Sequence, residues 1–121
     1  MDKNYSIPEA NELLAHVAPA LIELRDKYPK AIEVQKKIED GALSNGGASK
    51  RDEWNRLLAR VQELFDRFAE WQVEIKDIDE GLVDFPAVID GGPAYMCWKL
   101  GEPRVAFWHR RDEGYAGRRP L

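Results

Sequence analysis

Apolar residues recur at helical spacing in two long segments of the first 71 residues. The first segment opens with Ser6 and Glu9, which have the spacing of a capping box, where hydroxyl and carboxylate each accept a hydrogen bond from a backbone amide. The second segment opens with Ser49 and Asp52. The apolar positions are Ala10, Leu13, Leu14, Val17, Leu21 and Leu24 in the first segment and Trp54, Leu57, Leu58, Val61, Leu64, Phe65, Phe68 and Trp71 in the second. This spacing predicts two amphipathic α-helices that pack as an antiparallel hairpin.

Two prolines and a glycine divide the region between the two segments. Pro19 lies inside the first stripe, which resumes beyond it, so we expect a kink there rather than an end. Pro29 predicts a break, because the residue before a proline is disfavoured in α geometry. Residues 31–38 then predict a short connecting helix that stops at Gly41, and residues 44–48 predict a flexible loop.

Beyond residue 72 the apolar period changes from helical spacing to the alternation that is typical of strands. The runs rich in β-branched and aromatic residues are 73–75, 82–85, 94–100 and 104–109. We therefore predict an α+β fold, with two long helices and a short connecting helix packed on a C-terminal antiparallel sheet of three to four strands. The 121 residues fit a single domain with a helical part at 6–72, a β part at 73–110 and a tail at 111–121.

The pairing of the last two strands decides which polar side chains share a face. A loop of two or four residues places Met96, Trp98, Leu100, Val105, Phe107 and His109 on one face and Tyr95, Cys97, Lys99, Arg104, Ala106 and Trp108 on the other. A loop of three residues mixes the two sets. Because the buried face selects the register, we expect the first arrangement, which separates apolar from polar residues more cleanly. Cys97 and His109 then lie on opposite faces and cannot share a metal ion or form a catalytic pair.

Composition indicates an ordinary globular chain, with 44% hydrophobic and 33% charged residues. Cys97 is the single cysteine, which excludes an intramolecular disulfide and is typical of a reducing compartment. The N-terminus lacks the apolar run of a signal peptide, and no apolar stretch approaches the roughly 20 residues that span a bilayer. We therefore expect a cytoplasmic protein that does not enter a membrane.

The net charge of −4 is unevenly distributed along the chain. Residues 70–93 hold seven acidic groups and one basic group, whereas residues 94–121 carry a formal charge of +3. Two interpretations stay open: the two segments neutralise each other in the fold, or one of them meets a charged partner.

Several short motifs outside the helical stripes resemble those of one known family. They read VEIKDIDEGLVDFP at 73–86, CWKLGE at 97–102, WH at 108–109 and GYAGR at 114–118, and Glu9-Ala10-Asn11 fits as well. In this order they resemble the bacterial family of the domain of unknown function 2203, over nearly the whole chain. Gln72 stands where that family is expected to have a glycine. The resemblance supports the element boundaries, indicates which polar residues to watch, and implies no established activity.

The candidate binding residues are Asp77, Asp84, Glu102, His109 and Arg118. Asp77, Asp79 and Gly81 look like half of a calcium loop, but Val88 occupies the twelfth position, where such a loop needs a glutamate. We interpret them as an Asx turn between strands. Three of the others also have a structural interpretation: a solvated strand residue or arginine partner for Asp84, a turn residue for Glu102, and a side chain held by a backbone acceptor for His109.

Three hypotheses about function follow from the sequence. The first is a non-enzymatic interaction or structural protein that forms a homodimer, with Trp54 or Trp71 at its seam, because no recognised nucleotide, hydrolase or metalloprotease motif is present. The second is a small enzyme or divalent-metal-binding protein that uses Asp84, Glu102 and His109 at the sheet edge. The third is a weak single-stranded nucleic-acid binder, for which the arginines interleave with aromatic residues but the pI of about 5.2 is unfavourable. A protein partner is left open.

Overall fold

A computed structural model of the chain describes residues 2–41 and 47–121. Two long helices come first, followed by five strands. The helices are α1 at Ile7–Glu39 and α2 at Gly47–Trp71. The strands are β1 at Glu74–Asp77, β2 at Leu82–Ile89, β3 at Gly92–Lys99, β4 at Phe107–Arg110 and β5 at Arg119–Pro120. Of the loop predicted at residues 44–48, residues 44–46 lie outside the described part and the last two belong to α2.

The capping box predicted at the start of α1 is confirmed. The Ser6 hydroxyl accepts from the Glu9 amide at 3.2 Å, and the Ser6 amide donates to the Glu9 carboxylate at 2.9 Å. The apolar stripes of both helices are confirmed as well, since their residues are buried or packed against the core.

The break predicted at Pro29 is wrong. Pro19 and Pro29 both lie inside α1, and residues 31–38 are its last turns rather than a separate helix. A proline removes one helical hydrogen bond, but packing stabilises a long helix more than local propensity does. The ring of Tyr28, beside the proline, packs edge-to-face on Phe65 of α2, with 5.5 Å between ring centroids. Gly41, with φ of +80°, follows the C-cap residue as predicted.

Helices α1 and α2 pack side by side in opposite directions. Arg60 of α2 binds Glu23 of α1, with its Nε 2.6 Å from a carboxylate oxygen. Near the other end of the hairpin, His16 of α1 lies beside Trp71 of α2. The predicted antiparallel hairpin is confirmed.

The sheet is antiparallel with strand order β1-β2-β3-β4-β5. Five strands replace the three to four that the sequence predicts, because two residues of the tail form β5 against Phe107 and Trp108. A strand of two residues is too short to show an alternating pattern. Among the described residues, no helix has the length and apolar content that crossing a membrane requires.

One face of the sheet packs on the helices and forms the core with them. This inner face presents Val83, Phe85, Ala87, Ala94, Met96 and Trp108, all less than 9% exposed. Tyr5, just before α1, packs edge-to-face on Phe85 with 5.5 Å between ring centroids. The outer face points away from the helices and carries the polar residues discussed below.

The register predicted for the last two strands is wrong. Tyr95 pairs with His109 and Cys97 pairs with Phe107, so Cys97 and His109 share the outer face. The connection at 100–106 is long, and Asn11 of α1 holds it: its amide oxygen accepts from the Val105 N–H at 2.8 Å. Val105 is therefore buried from the connection and not from a strand, so its burial does not indicate which way Phe107 and His109 face.

The turn between β1 and β2 has the structure expected from its aspartates. The Asp77 carboxylate accepts from the Glu80 amide at 2.9 Å, which closes an Asx turn. Gly81 follows with φ of +69°, and a Cβ there would lie 2.6 Å from the Cβ of Leu100. The turn therefore needs a glycine for both conformation and space.

Candidate metal centre

Three adjacent strands each place one polar side chain on the outer face of the sheet. Asp84 of β2 pairs with Cys97 of β3, and His109 of β4 pairs with the residue two before Cys97. Asp84 points outward because its neighbours Val83 and Phe85 point into the core. Despite facing outward, the three residues are 1%, 1% and 3% exposed. A carboxylate oxygen, the sulfur and a ring nitrogen all lie within 4.8 Å of one another.

The His109 ring is held in one tautomer. Its Nδ1 lies 2.7 Å from the carbonyl oxygen of Arg110, and a carbonyl can only accept, so Nδ1 carries a hydrogen. Nε2 therefore faces Asp84, whose Oδ1 is 3.2 Å away. A backbone carbonyl that fixes one nitrogen and aims the other is the usual support of a metal-binding histidine.

Burial makes ionised groups costly in this cluster. It raises the pKa of Asp84 above its usual value, although the adjacent His109 acts in the opposite direction. Burial and the charge of Asp84 together raise the pKa of the Cys97 thiol to about 11, against a lowering effect of Arg118. A cation between the carboxylate and the sulfur would favour the ionised forms of both groups.

Tyr95 covers the histidine side of the cluster. Its ring lies 5.7 Å from the His109 ring, and its hydroxyl donates to Glu74 of β1. Two cations pack on the Tyr95 ring, Lys76 at 4.8 Å and Arg111 at 4.7 Å from the centroid. This layer shields His109 from solvent.

Arg118 covers the cysteine side. It follows a 3-10 turn at Tyr115–Gly117, and its guanidinium lies 4.1 Å from the ring centroid of Phe107 and 4.3 Å from that of Tyr115. Both terminal nitrogens bond the Glu102 carboxylate, one of them at 3.1 Å. The same nitrogen lies 3.8 Å from the sulfur of Cys97.

Glu102 is anchored by the backbone as well as by Arg118. Its carboxylate accepts from the Lys99 amide at 2.7 Å, which is a contact within the turn. Glu102 therefore acts as the turn residue that the sequence suggested and also binds Arg118. Burial opposes ionisation of Glu102, but the bonds from Arg118 and Lys99 lower its pKa overall. The ion pair is thus fixed at the edge of the cluster.

The structure distributes the five predicted site residues over three places. Asp84 and His109 are in contact, and Glu102 and Arg118 form an ion pair beside them. Asp77 is the exposed last residue of β1, and its carboxylate closes the turn that follows. Glu102 does not join the set of mutually close ligand atoms that Asp84 and His109 form.

Cys97 is the residue of the cluster that the sequence argument missed. The predicted register placed it opposite His109, whereas the three-residue alternative places the two together. A sequence signal was present, since Asp84 and Cys97 each alternate with core residues on strands that pair.

The donor set fits a metal ion better than it fits a nucleophilic cysteine. A nucleophilic thiol needs a base that contacts the sulfur and a lowered pKa. In this cluster the groups that contact the thiol are Arg118 and Asp84 rather than His109, and the pKa of the thiol is raised. By contrast, donors around a tetrahedral zinc ion lie roughly 3.3–3.7 Å apart. The three donor atoms of this cluster lie within 4.8 Å of one another, with 3.2 Å between Nε2 and Oδ1.

Comparison with known families places the chain. A family model described as "Uncharacterized conserved protein (DUF2203)" matches residues 3–121. The chain belongs to this family. The match confirms the resemblance drawn from the sequence motifs, and the family's description names no activity. No curated protein and no solved structure matches the chain.

Proposed function

We propose that this member of the DUF2203 family binds one divalent transition-metal ion, such as zinc, through Asp84, Cys97 and His109. The observation that carries the proposal is that three ligand atoms lie within 4.8 Å of one another on residues no more than 3% exposed. Buried polar groups are costly unless they are paired or bind a metal. An ion would take the place of the proton that Nε2 and Oδ1 otherwise share.

The chemistry of the donors selects the class of metal. Magnesium and calcium prefer sites made of oxygen atoms, whereas a thiolate, an imidazole and a carboxylate together suit zinc and neighbouring transition metals. Three protein ligands also leave one tetrahedral position for water or another small ligand. The proposal concerns metal binding, and no reaction is assigned to the site.

The test is a metal titration of the protein freed of metal by a chelator. We expect one zinc or cobalt ion per chain and a higher melting temperature with zinc than with magnesium. His109→Ala abolishes both effects in this proposal. His16→Ala is the matched control, because His16 is the other histidine of the chain and is exposed on α1. A melting temperature that stays flat across magnesium, manganese, zinc, iron and nickel contradicts the proposal.

The homodimer stays a prediction of the sequence, and the geometry supports it less than it supports metal binding. Trp54 is only 7% exposed, and Trp71 packs on Phe68 with 5.2 Å between ring centroids. The two tryptophans expected at a seam thus contribute to packing within the chain. Ile22 and Ile32 of α1 are 50% and 42% exposed and would be the alternative contacts. Light scattering after gel filtration tests the dimer, and a strict monomer contradicts it.

Nucleic-acid binding also has less support than metal binding. Base stacking needs an accessible aromatic face. Trp108 is 8% exposed, and the guanidinium groups of Arg110 and Arg119 lie 4.9 and 4.7 Å from its ring centroid. This tryptophan, one of the aromatic residues that interleave with the arginines, is used within the fold.

A further inference from the structure

We infer that Arg118 is a positioning residue for the metal centre, which Glu102 holds in place so that it donates a hydrogen bond to the Cys97 sulfur in the metal-bound thiolate. The inference rests on the proposed metal site and extends it to the neighbouring ion pair. Its basis is the 3.8 Å contact between a guanidinium nitrogen and the sulfur, made by an arginine that four side chains surround.

The guanidinium is held in place before any metal binds. Arg118 is stacked between Phe107 and Tyr115 and paired at both terminal nitrogens with Glu102. The side chains of Arg118 and Glu102 are only 14% and 20% exposed. Since these contacts already restrict the rotamers of the arginine, a bond to sulfur requires little further loss of conformational entropy.

The charges around the site balance only when both pairs are present. A divalent ion balances the carboxylate of Asp84 and the thiolate of Cys97, and Arg118 balances Glu102. Without Arg118, the partly buried Glu102 carboxylate would stand unneutralised beside a thiolate. Hydrogen bonds between a charged donor and a charged acceptor are also about twice as strong as neutral ones.

An arginine suits this position better than a lysine. The planar guanidinium presents several N–H groups in fixed directions, so it can bind two carboxylate oxygens and still direct a donor at the sulfur. A lysine ammonium has no plane to stack between two rings, and its point charge would not hold the same direction. The turn that positions the arginine is itself closely packed. At Gly117, the residue before Arg118, a Cβ would lie 3.2 Å from the Glu113 side chain.

The test uses cobalt(II) as the probe, because a cobalt–thiolate bond gives a sulfur-to-metal charge-transfer absorption. We expect Arg118→Gln to weaken cobalt binding about tenfold or more, as removing a partner of a metal ligand generally does. The absorption should also move to longer wavelength, because losing the N–H···S bond raises the energy of the sulfur electrons. Arg119→Gln is the matched control: it removes the same charge one residue away, where the arginine pairs with Glu113.

The outcomes separate this inference from the metal proposal itself. If the unmodified chain binds no cobalt, metal binding through this cluster is wrong. If the unmodified chain binds cobalt and Arg118→Gln matches it in affinity and absorption, the role of Arg118 is wrong while the metal site stands. Should Arg118→Gln fail to fold, Arg118→Lys decides: an absorption at longer wavelength than that of the unmodified chain supports the inference, and an unshifted absorption overturns it.

Discussion

At the scale of single residues, Asp84 shows how a side chain of the candidate site conflicts with stability. Its carboxylate is 1% exposed on the outer face of the sheet, beside a thiol and an imidazole. Burial raises its pKa, so the ionised form is less favourable in the folded chain than in the unfolded one. The aspartate at this position therefore costs stability, and the metal ion proposed above would restore that stability on binding.

The first prediction is that Asp84→Asn has opposite effects on stability and on metal binding. The asparagine amide can donate to Nε2 of a neutral His109, so the contact survives without a buried charge. We expect the free energy of unfolding of the metal-free protein to stay within about 1 kcal/mol of the original or to rise. The stabilisation by zinc should disappear. Urea unfolding with and without zinc measures both quantities, and retained stabilisation by zinc contradicts the prediction.

At the scale of elements, local patterns predicted the helices well and failed where a distant contact decides. The capping box and the apolar stripes involve residues three or four apart, so the local sequence is enough to predict them. The break at Pro29 was wrong because Tyr28 packs on Phe65, far away in the chain. The strand register was wrong because Val105, which Asn11 holds from 94 residues away, is buried from the connection and not from the strand. The cysteine of the site was missed for that second reason.

The second prediction concerns Glu23, which joins the two helices. Hydrogen bonds from Arg60 and then Lys27 lower the pKa of Glu23 from 4.5 to about 2. Because the folded value is the lower one, the stabilisation is complete above pH 4.5 and is lost as the pH falls towards 2. We expect Glu23→Gln to reduce the free energy of unfolding by about 1 kcal/mol at neutral pH, the scale of a partly exposed ion pair.

The control for Glu23 lies on the same helix. Glu33 pairs with Lys37 at 3.9 Å, and its side chain is 69% exposed, so Glu33→Gln should change stability by less than about 0.5 kcal/mol. Urea unfolding of both variants from neutral pH to acid tests the pair. The difference between Glu23→Gln and the original chain should narrow in acid. A difference that is independent of pH would show that the ion pair is not its cause.

At the scale of the whole molecule, the sheet has two protected faces built by different means. The helices bury the inner face, whereas side chains of the C-terminal segment and of β1 cover the outer one. Sequence patterns report the first kind of burial, since one face of each strand is continuously apolar. They do not report the second kind, because arginines and tyrosines provide the cover. The sequence pattern therefore predicts a surface position for Asp84, Cys97 and His109, although all three are buried in the fold.

The last prediction uses Cys97, the single cysteine, to report on that outer cover. Its sulfur is buried, so a thiol reagent can reach it only when the sheet or the C-terminal segment opens. Zinc that binds only the closed form lowers the population of the open form by a factor of one plus the ratio of zinc concentration to dissociation constant, so zinc at a hundred times its dissociation constant should slow labelling about a hundredfold. Magnesium at the same concentration is the control and should leave the labelling rate unchanged.

In denaturant with a chelator, labelling should be fast whether or not zinc was present beforehand. Equal labelling rates with zinc and with magnesium in the folded protein would mean that Cys97 does not bind the ion, since a thiolate bonded to zinc has no free sulfur to offer the reagent.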